Sequence, residues 1–162
     1  MKIQIIVSGK TNQHFVQQGL DEFCSRLTHY YPFELEVIPE LKNAKHLPVE
    51  QQKEKEGELI LRSFQAGDCI VLLDEHGKEF TSVKFAEYIE KKTHTSSKRL
   101  VFVIGGAYGF SPAVYQAAHD KIALSKMTFP HQLVRLIFIE QLYRAMTILH
   151  NEPYHHEGGM IQ

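Results

Sequence analysis

The sequence predicts an α/β fold in which a mainly parallel sheet is flanked by helices, and three observations carry that prediction. Two short runs, Cys69 to Leu73 and Leu100 to Ile104, are wholly apolar, as strands of a parallel sheet are when helices cover both faces. A segment of helical periodicity separates them, so the pair forms a β-α-β unit whose crossover is right-handed. Elsewhere, segments of twofold and of helical apolar periodicity alternate, with no internal repeat and no linker between them. A chain of 162 residues is long enough for one core, and residues 1–162 are predicted to form a single domain.

Ile3, Ile5 and Val7 alternate with polar residues up to Gly9, a first strand with one wetter side. Phe15, Val16, Leu20, Phe23, Cys24 and Leu27 recur at helical spacing as far as His29, with Asn12 as the cap. Phe33 to Ile38 reads as a second strand closed by Pro39, and the polar, turn-rich Leu41 to Pro48 as a loop. A charged helix follows from about Val49 to Ala66 and stops at Gly67, where a left-handed cap is natural. The apolar run from Cys69 ends in Asp74, and Gly77 turns the chain. Ser82 caps a helix carrying Val83, Ala86 and Ile89, and the strand from Leu100 ends in Gly105 and Gly106. Ser111 and Pro112 start a short helix by the cap-then-proline rule. Ile122 to Leu124 is a last brief strand, and Pro130 opens a long helix to about Leu149.

That last helix is apolar on nearly every side: Leu133, Leu136, Ile137, Ile139, Leu142, Tyr143, Met146, Ile148 and Leu149 exceed one stripe. Such a helix is buried. Either a second face packs on another subunit, giving a homodimer in which a position such as Ile139 lies at the interface, or the helix is central to its own monomer.

Hydrophobic residues make up 43% and charged residues 23% of the chain, which argues against wholesale disorder. Met1 to Ser8 lack the apolar core and cleavage site of an export signal. The apolar run around Leu133 to Ile139 is interrupted by Arg135 and Glu140 and falls short of a membrane span. A cytoplasmic protein without membrane segments is the expectation. Cys24 and Cys69 are isolated, without the CxxC spacing of metal or redox sites. His150, His155 and His156 read as polar surface, so no metal is predicted. Net charge is −1 with 10 His set aside, which gives no general attraction for nucleic acid. Lys42, Lys45, Lys53, Lys55 and Arg62 interleave with Glu50, Glu54, Glu56 and Glu58, a pattern of pairing along a solvated helix rather than a phosphate track.

Gly9-Lys10-Thr11 follows a strand but lacks the earlier glycine of a phosphate loop, Gln4 standing in its place. Gly105-Gly106-Ala107-Tyr108-Gly109 lies between an apolar strand and a helix, where glycine lets backbone amides approach a ligand. It serves a cofactor, or turn geometry alone. A nicotinamide site is disfavoured because the next strand ends in Leu124-Ser125-Lys126, without the acidic residue that holds ribose hydroxyls. Neither paired carboxylates at a catalytic spacing nor a Ser-His-Asp set in a known context supports a hydrolase.

Four motifs then agree in order: Ile104-Gly105-Gly106 with Gly109, Leu124 to His131, Glu140-Gln141-Leu142-Tyr143-Arg144-Ala145, and Asn151-Glu152-Pro153-Tyr154-His155. Together with the first two strands they make nearly the whole chain resemble the SPOUT-superfamily methyltransferases that modify N3 of a pseudouridine in bacterial 23S ribosomal RNA. The segment His156 to Gln162 departs from that pattern, which stops soon after the Tyr-His pair.

The resemblance implies the SPOUT (alpha-beta knot) fold, with a deep trefoil knot in the C-terminal half, and S-adenosyl-L-methionine as cofactor. It places that cofactor against Leu72 and Leu73, against Gly105, Gly106 and Gly109, and against Leu124, Ser125, Lys126, Met127, Thr128 and Phe129. It implies catalytic roles for Arg144, Tyr154 and His155, with the tail reaching a partner subunit's site. Arg144 would stabilise charge on the uracil ring and His155 would accept a proton; on the residues alone, Arg144 is equally a cation favoured by the helix C-terminus. The implied partners are a second copy and 23S ribosomal RNA within the ribosome, near the decoding centre. The alternative is a catalytically inactive, RNA-binding dimer of the same fold, which would not titrate with the cofactor.

Overall fold

The computed structural model describes residues 1–156, so the tail beyond His156 lies outside the described residues. Ten elements follow one another: β1 (Lys2–Ser8), α1 (His14–Leu27), β2 (Phe33–Ile38), α2 (Val49–Ser63), β3 (Asp68–Glu79), α3 (Ser82–Thr93), β4 (Arg99–Ile104), α4 (Pro112–Ala117), β5 (Asp120–Ala123) and α5 (Leu133–Leu149). The five strands form one sheet in the order β2-β1-β4-β3-β5, and each neighbouring pair is parallel.

Side chains alternate across a strand, and this sheet uses both faces. Ile3, Ile5, Val7, Phe102 and Ile104 point toward a core shared with α1, α3 and α5, which also takes Val16, Leu20, Phe138 and Leu142. Ile6, Ile70, Leu72, Val101 and Val103 supply the opposite core, closed by Ile60 of α2 and Val114 of α4. The chain therefore leaves β1 and β3 toward one face and β4 toward the other. In open α/β sheets the strand ends beside such a reversal form the ligand crevice.

Caps shift by one residue from their sequence assignments. Gln13, not Asn12, precedes α1 and makes no side-chain cap bond, while the Asn12 amide donates to Gln132 Oε1 at 2.8 Å. Thr81, not Ser82, caps α3, its Oγ1 accepting from the Lys84 amide at 3.1 Å. Ser82 instead donates to Gln141 Oε1 at 2.8 Å. Ser111 caps α4 with proline in its first turn. α2 ends at Ser63 rather than Ala66, and Gly67, at φ +89°, sits in the turn into β3.

Gly77 does not end β3. Leu73 and Lys78 both pair with Ile122, so residues 74–77 bulge between them and the strand then rejoins β5 through Glu79 and Ala123. Turn residues gave the wrong signal here because a glycine in a strand marks a close backbone approach as readily as an end. A Cβ at Gly77 would lie 2.6 Å from the backbone N and C of Ile122.

α5 lies between α1 and α3 on one face, which accounts for much of its apolar excess. Ile139 is fully buried within the single chain, so it belongs to the monomer core and not to an interface. Arg135, which reads as an interruption of the apolar run, is also fully buried. Its Nη1 donates to Gly9 O at 2.8 Å and Thr11 Oγ1 at 2.9 Å, and its Nη2 donates to Ser8 O at 2.6 Å. Burial holds its guanidinium below its ordinary pKa, opposed by Glu40. Arg135→Met keeps much of the volume but removes the donor from two backbone carbonyls, and we expect it to lower stability by about 3 kcal/mol. An unchanged urea midpoint would show that the clamp contributes nothing.

Among the described residues no helix is long and apolar enough to cross a membrane, and no group of His, Cys, Asp and Glu could hold a metal ion. Cys24 and Cys69 are both free, and burial pushes the Cys24 thiol up to about 11.

Candidate functional site

A cavity of about 570 Å³ opens at the carboxyl ends of β3, β4 and β5. Its walls come from three segments: the bulge after Leu73, the glycine loop from Gly105 to Phe110, and the connection from Leu124 to His131. Leu73, Gly105, Gly106, Gly109, Leu124, Ser125, Met127, Thr128 and Phe129 all line it. Leu72 does not, because strand alternation sends it into the core beneath α2 and α4, where it is fully buried. Lys126 is exposed and lies outside the lining.

Local backbone chemistry explains why these segments stay open. Gly105 packs so closely under Phe110 that a Cβ would come within 2.9 Å of the ring. Gly109 takes φ +82°, which a side chain would strain. Ser125 Oγ accepts from the Met127 amide at 3.0 Å, a local turn that keeps this stretch from continuing β5. Met127 is left 78% exposed at the rim. The walls combine apolar faces from Leu73, Ile104, Leu124, Phe129 and Val134 with the backbone of the two loops. That is the usual make-up of a small-molecule site of this size.

The sequence reading missed the acidic rim. Asp74, Glu75, His76 and Tyr115 line the cavity's edge, and the Tyr115 hydroxyl hydrogen-bonds Asp74 Oδ2. Burial and Asp74 push the Tyr115 phenol up to about 12. The available signal was Asp74 at a strand's carboxyl end; what hid it was the bulge, which no periodicity reports.

The second cluster gathers Arg144, Tyr154 and His155 within one chain and adds Glu140. Arg144 Nε donates to Glu140 Oε1 at 2.9 Å, and Nη2 lies 2.8 Å from the same oxygen. The guanidinium stands 4.9 Å from the centre of the Tyr154 ring, which meets Tyr143 edge-on at 4.8 Å. Arg144 Nη1 and His155 Nδ1 are 3.1 Å apart. A guanidinium only donates, so Nδ1 accepts and the proton of the neutral ring sits on Nε2. His155 in this pose orients Arg144 and has no free lone pair for a proton. Burial, then Glu140, raises the Tyr154 phenol above its ordinary value, so it is a donor near neutrality. No basic residue lies in the last turn of α5, and Arg144 pairs with a carboxylate instead of the helix's final carbonyls.

Within one chain these two sites are separate. Val134 lines the cavity, and Arg144 follows ten residues later on α5, about 15 Å along the helix at its rise of about 1.5 Å per residue.

The family described as Predicted SPOUT methyltransferase matches residues 1–155. The chain is 67% identical over 157 residues to Ribosomal RNA large subunit methyltransferase H of Parabacteroides distasonis, covering 97% of this chain and all of that protein. Proteins of the same name from Phocaeicola vulgatus and Bacteroides fragilis are 61% identical over 157 residues and 60% identical over 158 residues, again across 97% of this chain and all of theirs.

Proposed function

The chain belongs to the SPOUT methyltransferase family, and on that premise we propose that it methylates N3 of a pseudouridine in the decoding-centre stem-loop of 23S ribosomal RNA, acting on assembled ribosomes. It is an S-adenosyl-L-methionine-dependent ribosomal RNA methyltransferase, in keeping with relatives 60 to 67% identical over their whole length. One observation carries the cofactor assignment to this chain's residues: the cavity at the strand ends, where a glycine-rich loop forms one side and apolar side chains form the walls.

The residues fit the cofactor. Leu73, Ile104, Leu124 and Phe129 give a flat ring apolar walls, and the backbone of the glycine loop and of the connection after β5 gives it polar partners. Asp74 and Glu75 at the rim are placed to favour a positively charged ligand. When bound, the cofactor supplies an electrophilic methyl carbon on a sulfonium. The protein's part is to hold the target ring in line with that carbon and to favour loss of its N3 proton. As the proton leaves, negative charge spreads over the ring carbonyls, and Arg144, fixed by Glu140 and His155, is the group suited to stabilise it.

In one chain the Arg144 cluster and the cavity lie apart, so we assign the enzyme a homodimeric state in which one subunit's tail faces its partner's cavity. The deep trefoil knot, the single-domain organisation and a cytoplasmic location beside the ribosome belong to the same proposal. The net charge of −1 favours a substrate recognised by shape, since tight binding to isolated RNA rests on phosphate neutralisation.

Two measurements test this reading. Ribosomes lacking the modification should take up one methyl group per particle at N3 of a pseudouridine, and isolated 23S RNA far less. Native mass measurement at micromolar concentration should give twice the chain mass. Methylation of free RNA as fast as ribosomes would remove the ribosome from the proposal, and a monomer would remove the shared site.

A further inference from the structure

We propose that Glu56 is a positioning residue for the methyl donor, holding the glycine loop from the side turned away from the cavity. The inference rests on the cofactor assignment above. The Gly106 amide donates to Glu56 Oε1 at 3.3 Å, and a Cβ on Gly106 would come within 3.1 Å of Glu56 Oε2. Both carboxylate oxygens therefore lie against one glycine.

The next residue of α2 grips the other end of the same loop. Gly57 is buried, and a Cβ there would stand 2.4 Å from Ser111 Oγ, the oxygen that caps α4. Consecutive residues of one helix thus meet the loop at Gly106 by a hydrogen bond and at Ser111 by close packing. Inside the loop the Gly109 amide donates to Gly106 O at 3.4 Å, so Gly106 is tied both to Glu56 and to the loop's own turn.

Glu56 does not line the large cavity. It lines a smaller cleft of about 210 Å³ on the other side of Ala107, Tyr108 and Gly109, together with Gln52, Lys53 and Glu40. It reaches the donor only through the loop, which is why its role is positioning and not catalysis. An acceptor that engages the Gly106 amide from behind also limits the directions in which the neighbouring amides can turn toward the cavity.

The test compares Glu56→Ala and Glu56→Gln in the full-length chain. Calorimetric titration with S-adenosyl-L-methionine should show the alanine variant weakened about tenfold, the loss of one charge-assisted hydrogen bond. At saturating donor its turnover on ribosomes should stay within about twofold of wild type, so the defect appears in KM and not in kcat. Glu56→Gln keeps an acceptor and should bind within about twofold of wild type. Hydrogen exchange without any donor present should be faster at the Gly106 amide in the alanine variant, a readout that holds whether or not the cofactor assignment is right. Wild-type affinity in the alanine variant, a glutamine variant as weak as alanine, or loss of cooperative unfolding in either would each overturn the positioning role.

Discussion

Replacing Arg144 by alanine is expected to leave the affinity for S-adenosyl-L-methionine within about twofold of wild type and to cut methyl transfer by about 100-fold or more. The magnitude is that of removing one preorganised charge-stabilising donor from an active site. The separation follows from the geometry, because Arg144 lies about 15 Å along α5 from the cavity-lining Val134. Glu140→Gln should show a milder loss of the same kind, since Glu140 aims the guanidinium. The position of His155 sharpens the expectation for its own variant. With Nδ1 accepting from Arg144, His155→Ala should slow turnover without abolishing the acidic limb of the pH profile. A vanished limb would identify His155 as the proton acceptor after all. If Arg144→Ala weakened cofactor binding as much as turnover, the two-site division would be wrong.

The second large effect is structural. Gly77→Val is expected to lower stability by about 3 kcal/mol or more, at the upper end of overpacking costs. The added Cβ would meet Ile122 N, C and Cα at 2.6 to 2.7 Å. These are backbone atoms and cannot rotate aside. β5 is an edge strand whose one neighbour is β3, so pushing the two apart detaches β5 and both cavity walls that adjoin it. Urea denaturation would show a lower midpoint, and calorimetry a loss of cofactor binding. A normal midpoint would mean that residues 74–77 can shift without cost.

The strand ends and the glycine loop were legible because their signals are local: wholly apolar runs, bare glycines, and the Ser111-Pro112 start of α4. Failures arose where a residue's environment is set by distant segments. Leu72 and Leu73 are alike in sequence, and only the sheet's alternation separates a core residue from a cavity wall. Glu56 belongs to a helix of interleaved charges and reads as solvated pairing, yet it meets Gly106, 50 positions away. Lys53 does form the local pair expected of that helix, with Glu50 at 3.6 Å. Asp74 and Tyr115 meet across 41 positions, so their joint place on the rim follows from the fold alone.

The buried guanidinium of Arg135 has a kinetic meaning as well. It joins Ser8 O to α5 across 127 positions of sequence, so the first strand cannot complete its hydrogen bonding until nearly the whole chain has been synthesised. Closing so long a loop makes folding slow relative to helical proteins of the same size. The contact between Ser8 and α5 is therefore among the late ones to form during synthesis.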